Sequence, residues 1–126
     1  MKLLRVGAEG REKPAMLDSA GRIRDLTGVI ADVGGDVLLP ENLAALSRLD
    51  PETLPELPGD ARIGPCVSPV GKFIGIGLNY ADHAAEANMA TPEEPIVFTK
   101  WSSSICGPND PIVRPRHARK LDWEVE

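Results

Sequence analysis

Proline and glycine cut this chain into short pieces, and that limits its fold more than any other feature of the sequence. Twelve of each occur in 126 residues. Each ends a helix or turns a strand more readily than it continues one. A helical bundle is excluded, and many turns with short elements remain. Apolar residues make up 42% of the chain but aromatics only 4%, so the core must rest on Leu, Ile, Val and Ala.

Within that limit the first part reads as a small antiparallel meander. Met1 to Val6 predicts a strand, Gly7 to Lys13 a hairpin turn, Pro14 to Asp18 a second strand, and Arg22 to Leu26 a third beyond the turn at Ser19 to Gly21. Asp25 to Gly35 could begin a short helix, weakened by Gly28, Gly34 and Gly35. Leu43, Leu46 and Leu49 repeat every three residues behind Pro40, which suits a helix start, so a helix is expected over 41–49. Pro51, Pro55 and Pro58 among acidic residues between Asp50 and Asp60 read as a linker. The expected division is a small N-terminal α+β domain over 1–60 and a second domain over 61–126, opening with an extended Arg62 to Val67.

The charge balance excludes some function classes. Fourteen Lys and Arg against nineteen Asp and Glu give a net charge of −5, whereas nucleic-acid binding normally needs a basic excess. Cys66 and Cys106 lie in no CxxC pattern and read as two unpaired thiols of a reducing compartment. Met1 to Arg5 has no long apolar stretch behind it, so no signal peptide is expected. No segment approaches the roughly 20 apolar residues of a membrane span. The expected location is the cytoplasm. The chain stops at Glu126 inside a strand-like run, which suggests a piece of a longer protein.

The residues that can carry chemistry cluster after position 72. The apolar run Lys72 to Leu78 predicts a strand, Asn79 to Glu86 has helical character, and Pro95 to Lys100 is a second apolar run. His83 and Glu86, three apart on a helix, would share a face. A carboxylate beside an imidazole fixes its tautomer and raises its basicity, which makes a general base for water. An ordinary surface helix has the same spacing. Gly75 and Gly77 precede this corner and allow close backbone approach, but GxGxxG fails at Tyr80, so no dinucleotide fingerprint is present. Lys100 ends its apolar run and could bind a carboxylate or offset an enolate, or be a solvated strand end. Glu124 and Glu126, two apart in an expected strand, would point to one face. Two carboxylates so placed repel unless a cation sits between them, and oxygen ligands suit hard divalent ions. The alternative is an acidic solvent face. Arg114 to Lys120, with His117, reads as a solvated basic loop that could attract anions.

Taken together, Gly77-Leu-Asn-Tyr-Ala-Asp-His-Ala-Ala-Glu86, Pro95-Ile-Val-Phe-Thr-Lys100, Ile105-Cys-Gly-Pro-Asn-Asp110 and Asp122-Trp-Glu-Val-Glu126 resemble the fumarylacetoacetate hydrolase family. With the N-terminal part, the chain is similar to the bacterial branch that includes 2,4-diketo-3-deoxy-L-fuconate hydrolases and members named ureidoglycolate lyase. The resemblance implies an α+β, mostly β architecture in which the small first domain precedes the start of a mixed β-roll catalytic domain. It implies Mg²⁺ or Mn²⁺ held by Glu124 and Glu126, a water-activating pair His83 and Glu86, and substrate contacts from Asn79, Tyr80 and Lys100. It also implies a homodimer and hydrolysis of the C–C bond of a 2,4-dioxo acid. Oxo-acid decarboxylation, isomerisation, a ureidoglycolate lyase activity or a non-catalytic assembly module are the alternatives. A third metal carboxylate is expected beyond Glu126.

Overall fold

A computed structural model of the chain describes residues 1–122. Trp123 to Glu126, and with them the expected carboxylate pair Glu124 and Glu126, lie outside the described residues. The architecture is mixed α+β with small antiparallel sheets and few helices. Two compact units form among the described residues: 1–70 with 105–111, and 71–104 with 112–122.

The first unit is built on the expected meander. β1 (Leu3–Val6), β2 (Lys13–Leu17) and β3 (Ile23–Asp25) pair antiparallel in the order β1-β2-β3, with Leu4 opposite Ala15 and Leu17 opposite Ile23. Side chains alternate across a pleated strand, so Val6, Ala15 and Ile23 meet on one face and form the core, joined by Leu4, Leu17, Leu57, Ala61 and Ile63. Arg5, Met16 and Arg24 occupy the opposite face, and all three are buried.

Neither sheet edge is left open. The proline-bearing stretch 50–60 runs beside β3: Asp25 N–H donates to Pro55 O (2.8 Å) and Leu57 N–H to Ile23 O (2.9 Å). Residues 62–64 then cover β1, where Gly7 N–H donates to Arg62 O (2.9 Å) and Gly64 N–H to Arg5 O (2.8 Å). Proline lacks a backbone N–H, so it fits a covering strand where alternate donors point away from the sheet. The segment with the composition of a linker thus serves as an edge cover. Arg62 to Val67, expected merely to be extended, has the same role at its start.

Two helical expectations resolve differently. Asp25 to Gly35 makes one turn, with Val29 and Ile30 N–H both donating to Leu26 O, and does not continue as a helix. The first helix, α1 (Pro40–Leu46), starts on Pro40 but ends three residues earlier than the leucine spacing predicts. Beyond it Arg48 N–H donates to Ala45 O and Leu49 N–H to Leu46 O. These are i to i+3 bonds, whose three-residue turn matches the spacing of Leu43, Leu46 and Leu49 better than an α-helix does.

Asp18 closes the β2–β3 turn. Its Oδ1 accepts the Ala20 and Arg22 N–H groups, each at 2.9 Å, and its Oδ2 accepts Arg22 Nε (2.8 Å) and Arg24 Nε and Nη2 (3.0 and 2.8 Å). Burial favours the neutral acid, but the Arg22 N–H, the guanidiniums of Arg24 and Arg22 and the Ala20 N–H outweigh it, so the carboxyl is held well below the usual carboxylate range. A carboxyl whose folded pKa lies below its unfolded value of about 3.9 stabilises the fold above that pH, and this contribution is lost as pH falls further. Asp18→Asn should therefore lower the urea midpoint at pH 7 and flatten the loss of stability on acidification below about pH 4. An acid limb as steep as that of the wild type would show that Asp18 does not carry the effect.

Candidate active site

The second unit places Asn79, Tyr80, His83 and Glu86 at and just beyond a strand-to-helix corner. β4 (Phe73–Gly77) leads into α2 (Ala81–Glu86), and β5 (Ile96–Lys100) returns antiparallel to β4. The three elements coincide with the expected runs. The corner turns on Leu78, whose φ of 52° lies in the left-handed region. That conformation costs an L-residue roughly 1–2 kcal/mol. It frees Asn79 and Tyr80 from the strand: Asn79 is exposed, and Tyr80 is extended at the helix N-cap and half exposed.

The ends of α2 explain why so short a helix stops where it does. Asn88 takes the left-handed conformation (φ 52°), Asn88 N–H donates to Ala85 O (3.1 Å) and Met89 N–H to Ala84 O (2.9 Å). This pairing satisfies the Ala84 and Ala85 carbonyls of the last turn, and asparagine tolerates the conformation better than most residues. Ala84 is the buried residue of the helix. His83, beside it, is half-buried, whereas Glu86 is exposed. The Asp82 carboxylate accepts the His83 backbone N–H at 2.9 Å. Among the described residues no hydrogen bond or ion pair joins the side chains of His83 and Glu86, which share the helix one turn apart.

The ladder of β4 and β5 sets Lys100 relative to that corner. Gly77 pairs with Ile96 next to the corner and Phe73 pairs with Lys100 at the far end. Four residues at about 3.3 Å each separate the two ends by about 13 Å along the strands. Gly75 lies opposite Phe98, and a Cβ there would collide with the Phe98 ring. The missing side chain lets the ring lie on the strand backbone. Lys100 Nζ stands over the same ring, 5.4 Å from its centroid, a cation–π distance. The ammonium is thereby drawn back along the ladder toward its middle. The other face carries Ile74 and Val97, which are 52% and 63% exposed.

Among the described residues, no group of three or more His, Cys, Asp or Glu is placed to hold a metal ion. Cys66 and Cys106 are free and exposed. No helix of the described residues is long and apolar enough to cross a membrane.

Sequence reasoning gave no role to Arg62, and none to Asp110 beyond its place in a motif. In the first unit Arg62 Nε and Nη2 donate to Asp110 Oδ1 and Oδ2 (2.8 and 2.6 Å), and Arg62 Nη1 donates to Glu12 Oε1 (2.8 Å). The Arg62 guanidinium lowers the Asp110 carboxyl, helped by the Gly107 N–H, and it likewise lowers Glu12 against the opposing effect of burial. The local signal was the turn composition Gly107-Pro-Asn-Asp110, which marks a loop but names no partner.

Known proteins match this chain in two ways. Residues 72–126 match the family described as fumarylacetoacetate (FAA) hydrolase, C-terminal. Proteins provisionally named hydrolases align with the whole chain: one from Burkholderia orbicola (strain MC0-3) and one from Burkholderia cenocepacia (strain HI2424) are each 64% identical over 126 residues. One from Burkholderia ambifaria (strain MC40-6) is 63% identical over the same length. In each case the alignment covers 100% of this chain and 45% of the relative, so the chain spans about half the length of the curated relatives it matches.

The packing of Phe98 on Gly75 gives a direct test. Gly75→Ala should destabilise the protein by about 1–3 kcal/mol through overpacking, read as a lower urea midpoint. Adding Phe98→Ala should recover part of that loss relative to Phe98→Ala alone. Additive effects of the two substitutions would show that ring and backbone are not in contact.

Proposed function

We propose, because residues 72–126 match the family described as fumarylacetoacetate (FAA) hydrolase, C-terminal, that the whole protein is a hydrolase that cleaves the C–C bond of a 2,4-dioxo acid of the acylpyruvate type, giving pyruvate and a carboxylic acid. The observation that carries the reading is the corner itself. The motif Asn79 to Glu86 forms a strand-to-helix turn with His83 half-buried and with Asn79 and Tyr80 exposed beside it. Such a corner is where mixed folds place small ligands.

On this reading the His83 ring takes a proton from water, and the hydroxide adds to the C4 carbonyl carbon. The C3–C4 bond then breaks. Its electron pair passes to C3, and the pyruvate enolate is protonated to pyruvate. Glu86, one turn along the same helix, is the carboxylate that would orient the imidazole for this step. Lys100 supplies positive charge for the substrate carboxylate or the developing enolate. Asn79 and Tyr80 offer the amide and hydroxyl that orient the acid. Glu124 and Glu126 would hold Mg²⁺ or Mn²⁺, which as a Lewis acid polarises the 2-oxo group. A homodimer in the cytoplasm completes the proposal.

The test uses full-length protein with a panel of acylpyruvates and with oxaloacetate, in the presence of Mg²⁺. Hydrolysis of an acylpyruvate is expected. His83→Ala should reduce turnover by roughly 10²–10⁴-fold, the usual contribution of a general base, while metal affinity is retained. Unchanged turnover in that variant would remove His83 from the mechanism. Carbon dioxide release from oxaloacetate without acylpyruvate hydrolysis would replace hydrolysis with decarboxylation.

A further inference from the structure

The chain leaves its first unit after Val70, returns to it for residues 105–111, and leaves again. The returning stretch is a short turn. Asp110 N–H donates to Gly107 O (3.2 Å) and Gly107 N–H donates to Asp110 Oδ2 (2.6 Å). A side chain on Gly107 would run into the Ile63 carbonyl and the Asp110 carboxylate, so only glycine lets the turn lie against residue 63. One side chain ties this turn down. Arg62 Nε and Nη2 meet the two Asp110 oxygens in parallel, the fork geometry that only a planar guanidinium supplies.

The remaining contacts of Arg62 fix the guanidinium from its other side. Nη1 donates to Glu12 Oε1 (2.8 Å) and to Gly7 O (3.1 Å). The Glu12 side chain is only 4% exposed and also lies 3.6 Å from Arg5 Nη2. The Arg62 carbonyl accepts the Gly7 N–H beside β1. The arginine is therefore anchored to the meander at its backbone and its head before it reaches Asp110.

We infer that Arg62 is a positioning residue for the proposed reaction, acting through Asp110 to fix the turn Ile105 to Pro111. This inference rests on the catalytic reading above, because the turn follows Lys100 by five residues in the sequence and precedes Glu124 and Glu126. Arg62 touches neither substrate nor reacting atoms on this account. It orders the turn that the sequence places between Lys100 and the two carboxylates.

The test compares wild type, Asp110→Asn, Arg62→Lys and the double variant in full-length protein. Two readouts are followed: exchange of the Gly107 amide hydrogen, and kcat and KM on an acylpyruvate. Each single variant should speed Gly107 exchange and lower kcat, each on the order of tenfold, because a contacting pair couples by about 1.4 kcal/mol. KM should change little, and the double variant should add little to either single one. Asp110→Asn leaves the Arg62–Glu12 contact in place, so it carries the test if Arg62→Lys fails to fold. Unchanged Gly107 exchange would overturn the inference, as would faster exchange with an unchanged kcat. A wild type inactive on every acylpyruvate would overturn the proposed reaction and the positioning role with it. The exchange data would then still decide whether the ion pair orders the turn.

Discussion

The Glu12 carboxylate sits between two guanidiniums, and the first unit is organised outward from it. Arg62 approaches one of its oxygens at 2.8 Å and Arg5 the other at 3.6 Å. Arg5 passes on to Asp32, meeting both oxygens at 2.7 and 3.1 Å, and Arg62 passes on to Asp110. The result is a chain of alternating charge, Asp32–Arg5–Glu12–Arg62–Asp110, through segments far apart in sequence. Ion pairs of this kind add little net stability over a well-packed apolar cluster, but losing one partner strands the others. The members of this chain of charge come from β1 and the loops after β1 and after β3, from the edge cover and from the turn around position 110, so the network ties those segments together.

The sheet beneath this network needed such loops. Three strands of three to five residues are marginal alone, and their two edges would invite pairing with other chains. The stretch 55–64 covers both edges, first β3 and then β1, and Leu57, Ala61 and Ile63 from the same stretch join the core. Arg62 lies within this cover. The residue that reaches Asp110 is thus placed by main-chain bonds to β1, and the apolar core and the charge network share one backbone segment.

What the sequence disclosed divides along physical lines. β4, α2 and β5 were legible because each carries a local signal: an apolar run, a polar stretch with helical spacing, a second apolar run. The start of α1 was legible from Pro40. Its end was not, because a three-residue leucine spacing fits both an α-helix and the tighter turn that follows it. The left-handed Leu78 was hidden, since a leucine gives no sign of the conformation that a glycine would announce. The Arg62–Asp110 pair was hidden for a different reason. Its members are 48 positions apart, and no periodic pattern links residues across such a distance. The placement of Lys100 at the opposite end of the ladder from Asn79 depends on strand register, which the sequence of either strand alone does not fix.

The matched segment and the first folding unit overlap. The match begins at residue 72, yet seven of its residues, 105–111, fold with the first unit, held by an arginine ten positions before the match begins. A sequence boundary and a folding boundary therefore do not coincide. Residues 1–70 supply the arginine and the buried glutamate that fix it, and the matched segment supplies the carboxylate. An excised 72–126 would lose the cation that the Asp110 carboxylate meets in bidentate fashion, and the turn would keep only its internal Gly107–Asp110 bonds. The matched segment thus contributes one turn to the first unit, and that turn depends on residues outside the match.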